Sequence, residues 1–307
     1  MRNIYVFIFA VIAAVASFLL WTGRTSDVPL PSETSGKKLS IVATFYPLEA
    51  FARAVGGDAV TVASIVPAGV EPHDYEPTIE NILSTYQADI FLLNGAGVDA
   101  WAEKIRPDLE RRGIAVVQMS DIVSLSDDAE PLADPHFWLD PILAKQEVAS
   151  IRDILVSRDP QQRVTYTENA ARFSRELDIL DAAYRSGLAD CRLHTIVTSH
   201  DAFAYLAKRY GFTALAVSGM SPEAEPSPRT LAEIANTART QGVRYIFFET
   251  LVSPKVAQTL AQAVGAQTLV FNPLEGLTDE DRQAGADYLS VMRDNLDNVR
   301  TALECHL

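Results

Sequence analysis

An α/β fold of two lobes, each a mostly parallel sheet flanked by helices and joined by one long linking helix, is what the sequence predicts. Three observations predict it. Short β-rich runs alternate with helical patterns in both halves of the chain, and such alternation indicates a parallel sheet covered on both faces. A helical pattern broken only at Asp159-Pro160 runs from Pro141 to about Ala189 and divides the halves. Three of the five histidines, His73, His136 and His200, stand where a strand hands over to a loop or helix. That edge of an open α/β sheet is where ligands bind, so a site in the cleft between the lobes follows.

In chain order, Leu39 to Ala43 is a short β run, and Thr44 to Val55 reads as a helix with Pro47 in its first turn and Gly56-Gly57 past its end. Val60 to Val66 is a strand that leads through Pro67-Ala68-Gly69 to Glu71-Pro72-His73-Asp74-Tyr75-Glu76-Pro77, a loop stiffened by two prolines. A helix from about Thr78 to Tyr86, a buried-type strand over Ala88 to Asn94, a helix from about Asp99 to Arg111 and a strand at Ile114 to Gln118 complete the first half. An acidic loop then delivers His136 within Asp134-Pro135-His136-Phe137-Trp138-Leu139-Asp140-Pro141. In the second half His194 to Ser199 is a strand ending beside His200, and Asp201 to Tyr210 is a helix closed by Gly211. Further strands fall at Thr213 to Val217, Arg244 to Phe248 and Gln267 to Phe271, with helices at about Thr230 to Gln241, Pro254 to Val264 and from Asp279 onward. The organisation expected is a leader at 1–24, a tether at 25–38, an α/β lobe at 39–140, a linking helical segment at 141–189 and a second α/β lobe at 190–307.

At 307 residues the chain is long enough for two lobes with cores of their own. A formal charge of −14 argues against nucleic acid and anionic membrane surfaces as partners. Ile4 to Trp21 carries no charge and lies between Arg2 and Arg24, which reads as either a long signal-peptide core or a short anchor. Either way the remainder is expected outside the cytoplasm. The only cysteines are Cys191 and Cys305, so no lipid-accepting cysteine lies near the start and a lipoprotein is not expected. In an oxidising compartment those two form a disulfide or stay as two buried thiols.

Neutral imidazole suits zinc, and three imidazoles with one further ligand give the tetrahedral arrangement zinc favours. Calcium and magnesium want oxygen ligands. The short metalloprotease pattern H-E-x-x-H is absent. On residues alone, three histidines at matched strand ends suggest a metal site without deciding it.

The stretches Ala43-Thr-Phe-Tyr-Pro-Leu, Glu71-Pro-His-Asp-Tyr-Glu-Pro-Thr, Asp134-Pro-His-Phe-Trp-Leu-Asp-Pro, Thr198-Ser-His-Asp-Ala-Phe-Ala-Tyr-Leu-Ala-Lys-Arg-Tyr-Gly and Phe248-Glu-Thr do more. In order and spacing the chain from about residue 39 to its end resembles the metal-binding subunits of bacterial ABC importers for zinc and manganese, the cluster A-I (cluster 9) solute-binding proteins. The resemblance implies two α/β lobes joined by one long helix, with His73, His136 and His200 as ligands of a divalent metal ion. For the fourth ligand, many members have an aspartate where this chain reads Asn272. A zinc-preferring branch runs N-P-L-E, and Asn272-Pro273-Leu274-Glu275 then assigns Glu275, with water or Glu249 as the fallback. Retaining three imidazoles implies Zn2+, with Mn2+ or Fe2+ as the alternative, since harder ions favour carboxylates.

The partner implied is an ABC permease membrane subunit. The protein is expected to be a monomer without enzymatic activity, in the periplasm or on the extracytoplasmic face of the inner membrane. A zinc hydrolase using Glu275 or Glu249 as general base is the rival reading. Where zinc-type members often carry a histidine-rich loop, residues 124–133 are acidic and hold no histidine. Asp74, Asp140 and Asp201 are candidates to orient the imidazoles, helix capping being the alternative for Asp201. Trp138 and Phe203 are candidates to wall off water, whereas His194 and His306 are expected at the surface. Because imidazoles bind metal only when deprotonated, affinity is expected to fall below about pH 6.5.

Overall fold

Eight strands form two four-stranded sheets of identical topology in the computed structural model, which describes residues 37–123 and 134–306. The predicted leader, nearly all of the tether and the acidic loop 124–133 lie outside the described residues. In the first sheet β1 (Leu39–Ala43), β2 (Val60–Ser64), β3 (Ile90–Leu93) and β4 (Ala115–Gln118) lie in the order β2-β1-β3-β4, every pair parallel. In the second, β5 (Thr195–Thr198), β6 (Thr213–Ala216), β7 (Tyr245–Phe248) and β8 (Gln267–Val270) lie in the order β6-β5-β7-β8, again parallel. All four residues of β3 are buried, as a strand covered on both faces requires, whereas edge strand β2 alternates buried and exposed positions. Each sheet reverses its winding between its first and third strands, β1 and β3 or β5 and β7. A crevice opens at the carboxyl ends beside such a reversal.

The helices follow the expected series except at the end, where the one terminal helix expected from Asp279 is two, interrupted at 284–287: α1 (Tyr46–Gly56), α2 (Ile79–Thr85), α3 (Ala100–Arg111), α4 (Pro141–Arg158), α5 (Arg163–Gly187), α6 (Ala204–Tyr210), α7 (Pro228–Thr240), α8 (Lys255–Val264), α9 (Asp279–Gln283) and α10 (Tyr288–Leu303). Local chemistry sets their ends. Thr78 and Asn81 form a reciprocal capping box at α2, and Asp140 accepts from Ile142 N and Leu143 N to start α4 at Pro141. Pro160 has no N–H and pushes Asp159 out of helical geometry (φ −135°, ψ 78°), so α4 stops at Arg158. The linking helix α5 then runs for 25 residues, about 37 Å at 1.5 Å per residue. Thr44 stays out of α1 because its backbone continues the sheet, donating N–H to Leu92 O (3.0 Å) and accepting Val66 N–H (2.9 Å), while its hydroxyl donates to buried Asp99 (2.7 Å).

The inner faces of both sheets, α1, α4, α5 and α10 share one continuous apolar core that includes Phe51, Trp138, Tyr166, Tyr184, Phe203 and Phe271. Smaller clusters cover the outer faces, Phe91 with Leu109 on the first sheet and Ile246 with Leu260 on the second. Phe45 meets Trp138 edge-on at 4.9 Å, and Phe51 meets Tyr288 the same way at 4.9 Å. Lobes sharing so much apolar contact resist the wide hinge opening that a polar interface allows. Of the two alternatives for the cysteines, the disulfide is the one formed: Cys191 and Cys305 are joined across 114 positions and tie the entry of the second lobe to the end of α10. A loop of that size gives a nominal stabilisation of about 4–5 kcal/mol.

Glu147 interrupts the buried face of α4. Its side chain is fully buried, neither carboxylate oxygen has a hydrogen-bond partner among the described residues, and burial holds its pKa well above the ordinary range. The unfolded chain ionises this group near pH 4.3, whereas the folded chain keeps its proton. It therefore costs stability progressively as pH rises from about 4. Glu147→Met, of similar volume, is expected to stabilise the fold by about 1–3 kcal/mol at pH 8 and by less at pH 4, read from urea midpoints at both pH values.

Candidate metal centre

Four side chains converge at the carboxyl ends of four strands. His73 lies on the loop after β2, His136 on the loop after β4, His200 just past β5 and Glu275 on the loop after β8, two from each sheet. The chain builds the first two with one device, acid-Pro-His. Glu71 accepts the His73 backbone N–H (3.0 and 3.1 Å), and Asp134 accepts that of His136 (2.9 Å). An acidic side chain closing a turn two residues on is local geometry, and proline limits the alternatives. His200 is held from further away. Glu249, at the end of β7 across the winding reversal from β5, accepts its backbone N–H at 3.2 Å.

The same carboxylates set the tautomers. Asp134 Oδ1 lies 2.7 Å from His136 Nδ1, and Glu249 Oε1 lies 2.7 Å from His200 Nδ1. With each Nδ1–H donated outward in the neutral ring, each Nε2 presents its lone pair inward. Glu275 Oε1 lies 3.1 Å from His73 Nε2, 3.2 Å from His136 Nε2 and 3.1 Å from His200 Nε2. His136 Nε2 is 3.2 Å from both other Nε2 atoms. Donors about 2.0–2.1 Å from a tetrahedral zinc ion stand about 3.3–3.4 Å apart, so these edges fit that ion with a slight contraction. His136, His200 and Glu275 are buried, and the His73 side chain is 8% exposed, which makes it the one of the four nearest solvent.

Four inward lone pairs repel unless a cation or protons lie among them, and the ionisation of the group reflects this. Burial alone would lower His200, but the Glu275 charge and the Glu249 hydrogen bond outweigh it and push its pKa up to about 10. His136 is raised as well, burial being outweighed by Asp134 and Glu275. Burial would raise Glu275, yet the His200 charge and the hydrogen bonds to the imidazoles hold its carboxyl well below the usual range. Glu71 is pushed up to about 7 by burial and by the charge of Glu275.

The orienting carboxylates are Asp134 and Glu249 rather than the three aspartates expected. Asp74 accepts from Ser221 Oγ (3.3 Å), and Asp140 caps α4 and pairs with Arg209. Asp201 neither orients an imidazole nor caps α6. Its backbone N–H donates to Gly219 O (3.0 Å), and α6 starts only at Ala204, without a side-chain cap. Glu249, the fallback ligand, sits on the outer nitrogen of His200 and is not one of the four convergent donors. Trp138 packs on the His136 ring (centroids 5.1 Å) and donates Nε1–H to Pro273 O (2.8 Å), so it also anchors the Glu275 loop. Phe203 stacks on Phe271 at 3.7 Å in the core. His194 and His306 are exposed.

The chain matches the family ZnuA, zinc-uptake complex component A, periplasmic, over residues 41–302. It is 38% identical over 273 residues to the zinc-binding lipoprotein AdcA of Streptococcus pneumoniae, a match spanning 84% of this chain and 54%, about half, of that protein. It is 34% identical over 286 residues to the high-affinity zinc uptake system protein ZnuA of Bacillus subtilis, 89% of this chain and 90% of that one. The solved Zn(II)-bound ZnuA-like domain of Streptococcus pneumoniae AdcA superposes with a TM-score of 0.77 at 38% identity, covering 87% of this chain and 99% of that domain. The expectation that the chain is not a lipoprotein is corrected here, because relatives at this identity are named lipoproteins. That exclusion rested on the lack of a cysteine before Cys191, and one missing residue type does not decide how a protein is held at a membrane.

Proposed function

The chain belongs to the zinc-uptake complex component A family, and from that premise we infer that it is the extracytoplasmic subunit of an ABC importer, capturing Zn2+ and handing it to a membrane permease. His73, His136, His200 and Glu275 are the ligands proposed. The observation that carries this reading is the cage itself: one carboxylate oxygen 3.1–3.2 Å from three imidazole nitrogens, two of them with tautomers set by carboxylates behind them. Such a cage binds a four-coordinate, borderline-soft ion and offers poor geometry to one wanting six oxygens.

A carrier and a hydrolase need opposite things from the fourth position. Hydrolysis requires an open site for activated water, whereas a carboxylate in that place closes the shell, so no catalytic role is proposed. The net charge of −14 fits a partner that is neither nucleic acid nor an anionic surface, and the protein is proposed to act as a monomer. Competition of Mn2+ against Zn2+ for the purified protein tests the choice of cargo. Zinc is expected to win by at least about 100-fold, in line with the intrinsic order of divalent ions reinforced by geometry. Equal affinities, or a preference for Mn2+, would overturn the zinc assignment.

A further inference from the structure

Glu275 reaches the cage from a turn that is unfavourable by itself. Leu274, beside it, has φ +58°, in the left-handed region that a γ-branched residue seldom adopts, and its side chain is fully buried. Something must hold the turn. Asn272 shapes it from within, accepting Leu274 N–H on Oδ1 (2.8 Å) and donating from Nδ2 to Thr250 Oγ1 (3.1 Å). From outside, one residue of α10 grips the backbone at both polar groups. Asn295 Oδ1 accepts Asn272 N–H (2.9 Å), and Asn295 Nδ2 donates to Asn272 O (2.7 Å). Asn295 is 1% exposed, so neither group could exchange to water without penalty. One helical turn on, Asn298 Nδ2 donates to Val270 O (3.0 Å), gripping the strand ahead of the turn.

We propose that Asn295 is a positioning residue that sets how many protein ligands the metal receives, by locking the Asn272–Glu275 turn against α10. The proposal rests on Glu275 being a ligand. The chemistry of the amide is specific: only a side chain that accepts and donates at once matches the paired N–H and C=O of Asn272. Aspartate keeps the acceptor and sets a second acceptor against the carbonyl. Alanine leaves both backbone groups buried and unpaired. In either case Glu275 is freed to leave the cage while the three imidazoles, held by other elements, stay in place. The site then becomes three nitrogens plus solvent, an open site with one protein ligand fewer.

The test is a double-mutant cycle of Asn295→Ala and Glu275→Gln, with zinc affinity and the absorption spectrum of the Co2+-loaded protein as readouts. Asn295→Ala alone is expected to weaken zinc about 10- to 100-fold, the usual cost of losing an outer partner of a ligand, and to shift the Co2+ bands from four-coordinate toward higher coordination. In the Glu275→Gln background the same substitution is expected to change neither readout. Asn298→Ala, which loosens only the strand, is expected to leave zinc affinity at the wild-type value. A loss from Asn295→Ala that persists undiminished without Glu275, or no loss at all, overturns the positioning role while the ligand set stands. If Glu275→Gln itself leaves affinity and spectrum unchanged, the ligand assignment fails and the positioning role goes with it. Asn295→Asp carries the same cycle should the alanine variant fail to fold.

Discussion

Replacing His200 by alanine is expected to weaken zinc binding by more than about 100-fold, beyond the range for residues that merely support a ligand. His200 is one of the two donors that the second sheet contributes to the cage. It is fully buried, it stands 3.1 Å from the Glu275 oxygen and 3.2 Å from His136 Nε2, and its own orientation is fixed by Glu249. Its loss also leaves Glu249 and Glu275 buried without the positive partner that holds Glu275 ionised. His136→Ala is expected to follow closely. His73→Ala should cost less in equilibrium affinity, because its partly exposed position admits a water as substitute ligand. Isothermal titration with a competing chelator measures all three, and affinities within tenfold of wild type for His136→Ala and His200→Ala would contradict the cage.

Zinc affinity is expected to fall steadily as pH drops from about 9 to 7, well above the window near pH 6.5 that free imidazole suggests. The sign follows from the direction of the shift. A raised pKa means that the metal-free protein keeps a proton on His200 up to about pH 10, and zinc must displace it. Each displaced proton costs about tenfold in apparent affinity per pH unit below that value. His136, also raised, adds to the slope. Binding near pH 7.5 should therefore release protons, seen as a dependence of the calorimetric heat on the ionisation enthalpy of the buffer. An affinity flat from pH 7 to 9, with no proton release, would show that the carboxylates do not hold the empty cage protonated. The same coupling suits a carrier, since proton entry offsets the repulsion left when the metal departs.

What was legible in the sequence was local. The acid-Pro-His segments at Glu71–His73 and Asp134–His136 announce themselves because proline and a carboxylate two residues ahead act within one turn. The apolar run of β3 and the proline stop after α4 are likewise short-range effects. The supporting groups were not legible where the partner comes from another element. Glu249 lies 49 residues from His200, and only the β5–β7 adjacency brings them together. Asn295 grips Asn272 from 23 residues away on a helix that reads as an ordinary amphipathic one. Glu147 looks like a polar position on α4 until the packing of neighbouring elements encloses it. Asp201 misled for the opposite reason: acid next to a predicted helix suggests a cap, but Ala202 and Phe203 intervene before α6 begins. Glu275, the proposed fourth ligand, came from resemblance to a family motif, since nothing in periodicity distinguishes it from Glu249.

X-ray absorption at the zinc edge, on protein loaded with one equivalent of zinc, tests the cage most directly. Four nearest neighbours are expected at about 2.0–2.1 Å, one of them oxygen and three imidazole nitrogens with the outer-ring scattering that identifies histidine. A spectrum with fewer than three imidazoles, or with five or six oxygen-dominated neighbours, would contradict a zinc site built from His73, His136, His200 and Glu275.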